Sequence, residues 1–119
     1  MKLLIILLTV LGLCFADYYS DTYDNFDVNK YNELEYIRAA IDCIMDDGKC
    51  DPEHEFFKQN VQDIFNNACA RCSPAYKHIV RGYIENGRRQ CPYRMMRFFQ
   101  RFDPTKTLRQ PLWDSVKDA

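Results

Sequence analysis

Apolar positions recur at three- and four-residue steps along most of this chain, which is the period of a helix with one buried face. Leu34, Ile37, Ile41 and Ile44 form the first such stripe. Asn32 followed by Glu35 makes a capping box at its start, and Asp46-Asp47-Gly48 ends it, with Gly48 suited to a left-handed cap. Asp51-Pro52 supplies an N-cap and a first-turn proline for a second helix lined by Phe57, Val61, Ile64, Phe65 and Ala68. Ser73-Pro74 repeats the device before Tyr76, Ile79, Val80, Tyr83 and Ile84, and Asn86-Gly87 marks a stop. Pro92 opens a fourth helix carrying Met95, Phe98, Phe99 and Phe102, which runs to Asp103-Pro104. A shorter last segment offers Leu108, Leu112, Trp113 and Val116, and residues 28–31 suit a short turn. No stretch alternates as a strand does. The pattern predicts an all-α domain of five to six amphipathic helices around a shared apolar interior.

The two ends of the chain read differently. Met1-Lys2 followed by an apolar run from Leu3 to Leu13, and then Cys14-Phe15-Ala16, has the form of a cleavable secretory signal over residues 1–16. The run is shorter than the roughly 20 residues of a membrane span, so stable membrane insertion is not expected. Residues 17–26 are polar and aromatic without period and read as an extended or mobile arm. Residues 27–119 then form one domain, since the remaining length is enough for one modest core. An extracellular location follows from the signal.

Charge is nearly balanced overall at −1, but it is unevenly distributed. Residues 17–70 carry 13 acids and 4 bases, whereas residues 71–119 carry 4 acids and 11 bases. The halves are expected to attract each other. Arg88, Arg89, Arg94, Arg97 and Arg101 therefore read as a solvated face offset by the acidic half, and no nucleic-acid partner is expected. The helical stripes are rich in Phe, Tyr and Met. Taken alone, such stripes are more often plain core than a pocket.

Export would also decide how the cysteines behave, because thiols tend to pair in an oxidising compartment. With Cys14 lost with the signal, Cys43, Cys50, Cys69, Cys72 and Cys91 remain. The first four allow three pairings. Neighbour pairing is favoured by the turn between Cys43 and Cys50, and by the helix boundary that Cys69 and Cys72 straddle. A redox Cys-x-x-Cys would belong in a βαβ context, and structural zinc would need a second knuckle of that kind. Neither context is present, and no metal or cofactor is expected. Cys91 is the odd thiol. A monomer is the expected state; the place of Cys91 at a helix start beside Arg88 and Arg89 leaves oxidation or a Cys91-linked dimer open, on equal terms with a capped, partly buried thiol.

The spacing C-x6-C-x18-C-x2-C on Cys43, Cys50, Cys69 and Cys72 resembles the insect chemosensory proteins, also called the olfactory-segment D or pherokine family. Tyr23-Asp24-Asn25, Asp46-Asp47-Gly48-Lys49-Cys50 and Phe102-Asp103-Pro104-Thr105 support the resemblance, which runs from about Tyr23 to Val116. It implies a six-helix fold, disulfides Cys43–Cys50 and Cys69–Cys72, and an internal apolar channel for long-chain alcohols, aldehydes, esters or acids. Two features depart from it. Family members often carry Trp where this chain has Met95, and Cys91 is extra to the four-cysteine pattern.

Periodicity and resemblance together nominate Ile41, Ile44, Val61, Ile64, Phe65, Tyr83, Ile84, Met95 and Phe98 as channel lining, with the hydroxyl of Tyr83 or Tyr31 available to a ligand head group. The function expected is a secreted carrier of a small hydrophobic ligand. The rival is a secreted interaction or signalling factor, in development, immunity or reproduction, that needs no ligand. An enzyme is not expected: His54 and His78, the two histidines, read as surface residues, and no nucleophile constellation or phosphate loop stands out.

Overall fold

A computed structural model describes residues 18–119; the signal segment expected over residues 1–16 lies outside them. A 3₁₀ turn at Val28–Asn32 leads into five α-helices: α1 Leu34–Ile44, α2 Pro52–Asn67, α3 Pro74–Gln90, α4 Pro92–Phe102 and α5 Arg109–Val116. The described residues contain no strand. The all-α architecture of five to six elements is thus as the periodicity indicated.

Three helices begin on the residues the sequence marked. Asp51 accepts the His54 N–H at 2.9 Å and Ser73 Oγ accepts the Tyr76 N–H at 3.0 Å, each followed by proline in the first turn. Pro92 opens α4 with Cys91 at its N-cap. The start of α1 differs from expectation. Asn32 closes the 3₁₀ turn and Glu33 occupies the cap without a side-chain bond, so the Asn32–Glu35 capping box does not form. The turn is capped by Asp27, which accepts the Asn29 N–H at 3.0 Å. Leu34 is 50% exposed and lies off the stripe that Ile37, Ile41 and Ile44 bury.

The helix ends carry two further corrections. The left-handed residue after α1 is Asp46 (φ 65°) and not Gly48. Asp tolerates this region through local polar contacts, and Asp46 is tied to Lys58 and to Arg101, the latter at 2.8 Å. Helix α3 does not stop at Asn86-Gly87 but continues to Gln90. Gly87 is inside the helix because Met95 lies against it: a Cβ at position 87 would fall 2.6 Å from Met95 Cγ and Sδ.

The five helices bury their stripes together. Ile37, Ile41 and Ile44 of α1 meet Val61, Ile64 and Phe65 of α2, Val80, Tyr83 and Ile84 of α3, Met95, Phe98 and Phe99 of α4, and Leu112 and Val116 of α5. An aromatic file crosses this core, with ring centroids 6.0 Å apart from Tyr31 to Tyr83, 5.2 Å from Tyr83 to Phe98 and 5.6 Å from Phe98 to Phe65. Such tilted and edge-on pairs add to the burial energy of the rings.

The sequence halves attract as their charge suggested. Arg94, Arg97 and Arg101 of α4 meet Asp42, Asp47 and Asp46 at the end of α1, at 2.9, 3.8 and 2.8 Å. Residues 18–26, read from sequence as an arm, follow the surface of the bundle. Tyr19 N–H donates to the Arg71 carbonyl at 2.9 Å, its hydroxyl donates to Asp63 at 2.5 Å, and Asp24 accepts from Ser73 Oγ at 2.9 Å. Both cysteine pairs are bridged, Cys43–Cys50 and Cys69–Cys72, with Cα separations of 5.0 and 5.1 Å.

Candidate functional site

All ten nominated lining residues lie in the core, and none is more than 3% exposed. Helix α1 contributes Ile41 and Ile44, α2 Val61, Ile64 and Phe65, α3 Tyr83 and Ile84, and α4 Met95 and Phe98, with Tyr31 brought in by the 3₁₀ turn. Helical period is what gathers them, since residues three and four apart on each helix share a face. In this form their side chains fill the interior. A hollow among Tyr23, Phe26, Tyr31, His54, Phe57 and Tyr76 holds about 10 Å³, and one among Tyr36, Ala40, Cys43 and His54 about 50 Å³. Sites for drug-sized ligands occupy about 300–1,000 Å³. An alkyl guest therefore requires core side chains to move.

The two tyrosines nominated for a head group differ in hydrogen bonding. Tyr31 is engaged: its hydroxyl lies 2.7 Å from His54 Nε2, and His54 Nδ1 lies 2.6 Å from Asp51 Oδ1. The carboxylate can only accept, so Nδ1 carries the proton and Nε2 accepts from the Tyr31 O–H. Tyr36 adds a hydroxyl donated to Asp51 at 3.3 Å. Burial of the Asp51 carboxyl raises its pKa, but the backbone and ring hydrogen bonds from His54, with that from Tyr36, outweigh it and hold it below 3.8. Tyr83 is the opposite case. It is 1% exposed and its hydroxyl has no hydrogen-bond partner among the described residues. Burial raises that hydroxyl well above its ordinary 10, with Cys91 and Asp42 adding to the effect, so it remains a proton donor.

His54 is the residue that sequence reasoning misplaced. It is 4% exposed and borders both hollows, enclosed by the rings of Phe26, Tyr31 and Tyr36. The available signal was its position three residues after an N-cap aspartate, which lets one carboxylate bind both its backbone and its ring. His78 is exposed, as expected, and its ring lies 3.2 Å from the Ala119 carbonyl.

Cys91 is unpaired among the described residues and buried at the α3–α4 junction. Its basic neighbours face elsewhere. The Arg88 guanidinium lies over Phe99 and Trp113, and Arg89 donates to Asn86 Oδ1. The geometry resembles the capped thiol more than the reactive one, and a Cys91 bridge between two chains would require the helix junction to open. No group of three or more His, Cys, Asp or Glu side chains among the described residues is placed to hold a metal ion. No helix among them is long and apolar enough to cross a membrane.

Comparison with known proteins follows the same lines. The family model described as the insect pheromone-binding family A10/OS-D matches residues 19–110. Allergen Tha p 1 of Thaumetopoea pityocampa is 33% identical over 81 residues, which cover 65% of this chain and 64% of that protein. Ejaculatory bulb-specific protein 3 of Drosophila melanogaster is 32% identical over 91 residues, covering 70% of this chain and 72% of that one. A solved chemosensory protein in complex with bromo-dodecanol superposes with a TM-score of 0.72 at 25% identity, over 85% of this chain and 99% of the other. With the helices, the two short-loop disulfides and the matched span all in register, this chain belongs to the insect A10/OS-D family.

Proposed function

We propose that the protein is a secreted carrier of small apolar ligands with long alkyl chains, and that the Tyr83 hydroxyl receives the ligand's oxygen. The observation that carries this reading is the unpartnered Tyr83 hydroxyl inside an otherwise apolar and aromatic core. A buried hydroxyl without a partner costs about 1–3 kcal/mol. A ligand alcohol or carbonyl oxygen that accepts from it removes that cost. A plain core would do better with phenylalanine at the same position.

The energetics suit reversible transport. Each methylene moved from water into the core contributes about 0.8 kcal/mol, and the ordering of ligand and side chains offsets much of the total. For alkyl chains of about 12 to 18 carbons the balance is roughly micromolar affinity, with selectivity set by length and width. Met95 and Phe98 sit on one helix beside Tyr83, and the unbranched thioether of Met95 gives that wall several rotamers to move through. The bromo-dodecanol bound to the related structure is a ligand of this kind. Two disulfides within one small domain support an oxidising, extracellular setting.

Displacement of a fluorescent apolar probe by dodecanol is the direct assay. Micromolar displacement is expected, with an affinity about 5- to 10-fold weaker in Tyr83→Phe, the worth of one neutral hydrogen bond. Delipidated protein that binds neither the probe nor any ligand of 12 to 18 carbons would reverse the carrier reading in favour of an interaction role.

A further inference from the structure

The arginines of the basic half are mostly neutralised where they stand. Arg94, Arg97 and Arg101 are held by the aspartates at the end of α1, Arg81 by Glu85 and Arg109 by Asp103. Arg88 and Arg89 have no carboxylate partner among the described residues; Arg89 is turned onto the Asn86 amide, whereas Arg88 lies over aromatic rings. Its guanidinium lies 4.8 Å from the centre of the Phe99 ring and 5.9 Å from that of Trp113, and the Arg109 guanidinium lies 5.1 Å from the same Phe99 ring. Two cations thus share one aromatic ring, and the carboxylates near them are already committed: Glu85, which borders the same surface as Arg88 and Trp113, is paired with Arg81, and Asp103 with Arg109. Asp103 accepts the Arg109 side chain at 2.7 Å and the backbone N–H groups of Thr107, Leu108 and Arg109, each at 3.0 Å. Burial lowers the pKa of Arg88, and the charge on Arg109 lowers it further. Both are penalties that a bound anion would relieve.

The setting of this cation is apolar. Arg88 and Arg109 stand at the rim of a surface hollow of about 260 Å³ between the end of α3 and the face of α4, walled by Pro92, Met96 and Phe99 and floored by Met95. Met95 is 1% exposed and belongs equally to the core. It is also the side chain for which α3 makes room at Gly87. The hollow and the interior are therefore separated there by one flexible thioether.

We propose that this hollow is a head-group site for long-chain carboxylates, in which Arg88 grips the carboxylate while the alkyl tail lies along Met96 and Phe99 and passes Met95 into the core. A guanidinium offers two parallel N–H donors to a carboxylate, whereas an alcohol gains much less from it. The chain consequently prefers fatty acids to fatty alcohols of equal length. This rests on the carrier reading for the destination of the tail, but the preference itself belongs to Arg88.

Trp113 makes the site observable, because it is the sole tryptophan of the chain and lies against Arg88. Its emission is followed while the protein is titrated with dodecanoate or with dodecanol, and probe displacement is measured in parallel. Dodecanoate is expected to bind at least about tenfold more tightly than dodecanol, as a charge-assisted bidentate contact should, and to shift the emission of Trp113. In Arg88→Gln the two ligands are expected to bind alike, with dodecanol unchanged from the native chain. If dodecanol binds but dodecanoate binds no better, or if Arg88→Gln keeps the preference, the Arg88 site is wrong and the carrier reading stands. If neither ligand displaces the probe, both are wrong.

Discussion

Gly87 of α3 and Met95 of α4 compete for one volume: a methyl group at position 87 would lie 2.6 Å from Met95 Cγ and Sδ. Gly87→Ala should improve the intrinsic helix propensity of α3 by about 1 kcal/mol, but it forces Met95 out of its place, and overpacking of this kind costs about 1–3 kcal/mol. The net expectation is a loss of about 1 kcal/mol in urea unfolding, together with faster uptake of an apolar probe because the displaced thioether no longer seals the core. Gly87→Ala,Met95→Ala should recover the helix gain without the clash, at the expense of a cavity.

Two buried tyrosines should answer the same substitution oppositely. Tyr31 donates to His54, so Tyr31→Phe leaves a buried ring nitrogen unsatisfied and should cost about 1–2 kcal/mol. Tyr83 has no partner to lose, so Tyr83→Phe should be neutral or stabilising in the ligand-free protein. Chemical denaturation of the two variants checks this, and equal losses would mean that the Tyr83 hydroxyl is satisfied in solution.

Acid sensitivity should centre on Asp103 and Asp51. Burial raises the Asp103 carboxyl, but the Arg109 side chain and the backbone donors of Leu108 and Arg109 outweigh it and hold it below 3.8; Asp51 is likewise below that value. A carboxyl lowered in the folded state stabilises the fold above its unfolded pKa and loses that contribution as pH falls through its folded value. Stability should therefore be level from neutral pH to about 4 and fall below that. Asp103→Asn should lose at least about 2 kcal/mol at neutral pH, because the amide nitrogen cannot accept and two of the four bonds are lost, and should show a shallower fall in acid. Thermal unfolding from pH 2 to 7 reads both effects.

The two disulfides close short loops, so each should stabilise modestly, by about 2.5 kcal/mol for Cys43–Cys50 and about 2 kcal/mol for Cys69–Cys72 on the chain-entropy relation. Cys50 is less buried than Cys43, Cys69 or Cys72. Under native conditions a phosphine reductant should open Cys43–Cys50 first, and alkylation followed by peptide mass spectrometry identifies the pair that reacts.

The helices were legible because each carries an apolar stripe and most have punctuation of their own. Asp51-Pro52, Ser73-Pro74 and Pro92 mark starts through local chemistry that needs no tertiary partner. What the sequence concealed depends on contacts between distant segments. Gly87 reads locally as a stop, and only Met95, eight residues on, explains a glycine inside a continuing helix. Asp46 takes the turn conformation expected of Gly48 because Lys58 and Arg101, on two other helices, hold its carboxylate. His54 looks polar and exposed until the rings of Phe26, Tyr31 and Tyr36 close over it. The same limit applies to the site. Stripes and resemblance named nine of the core residues and Tyr31 beside them, but they could not show that Tyr31 is partnered and Tyr83 is not.

Opening of the core around Tyr83 by an alkyl ligand is the central claim, and methyl and aromatic NMR during a dodecanol titration tests it most directly. Shifts are expected at the methyl groups of Ile41, Ile44, Val61 and Ile84 and at the rings of Tyr83 and Phe98, saturating together in the micromolar range, with the Tyr83 hydroxyl proton becoming hydrogen-bonded. Shifts confined to exposed residues such as Leu34 and Tyr93, with the core resonances unmoved at saturation, would contradict it.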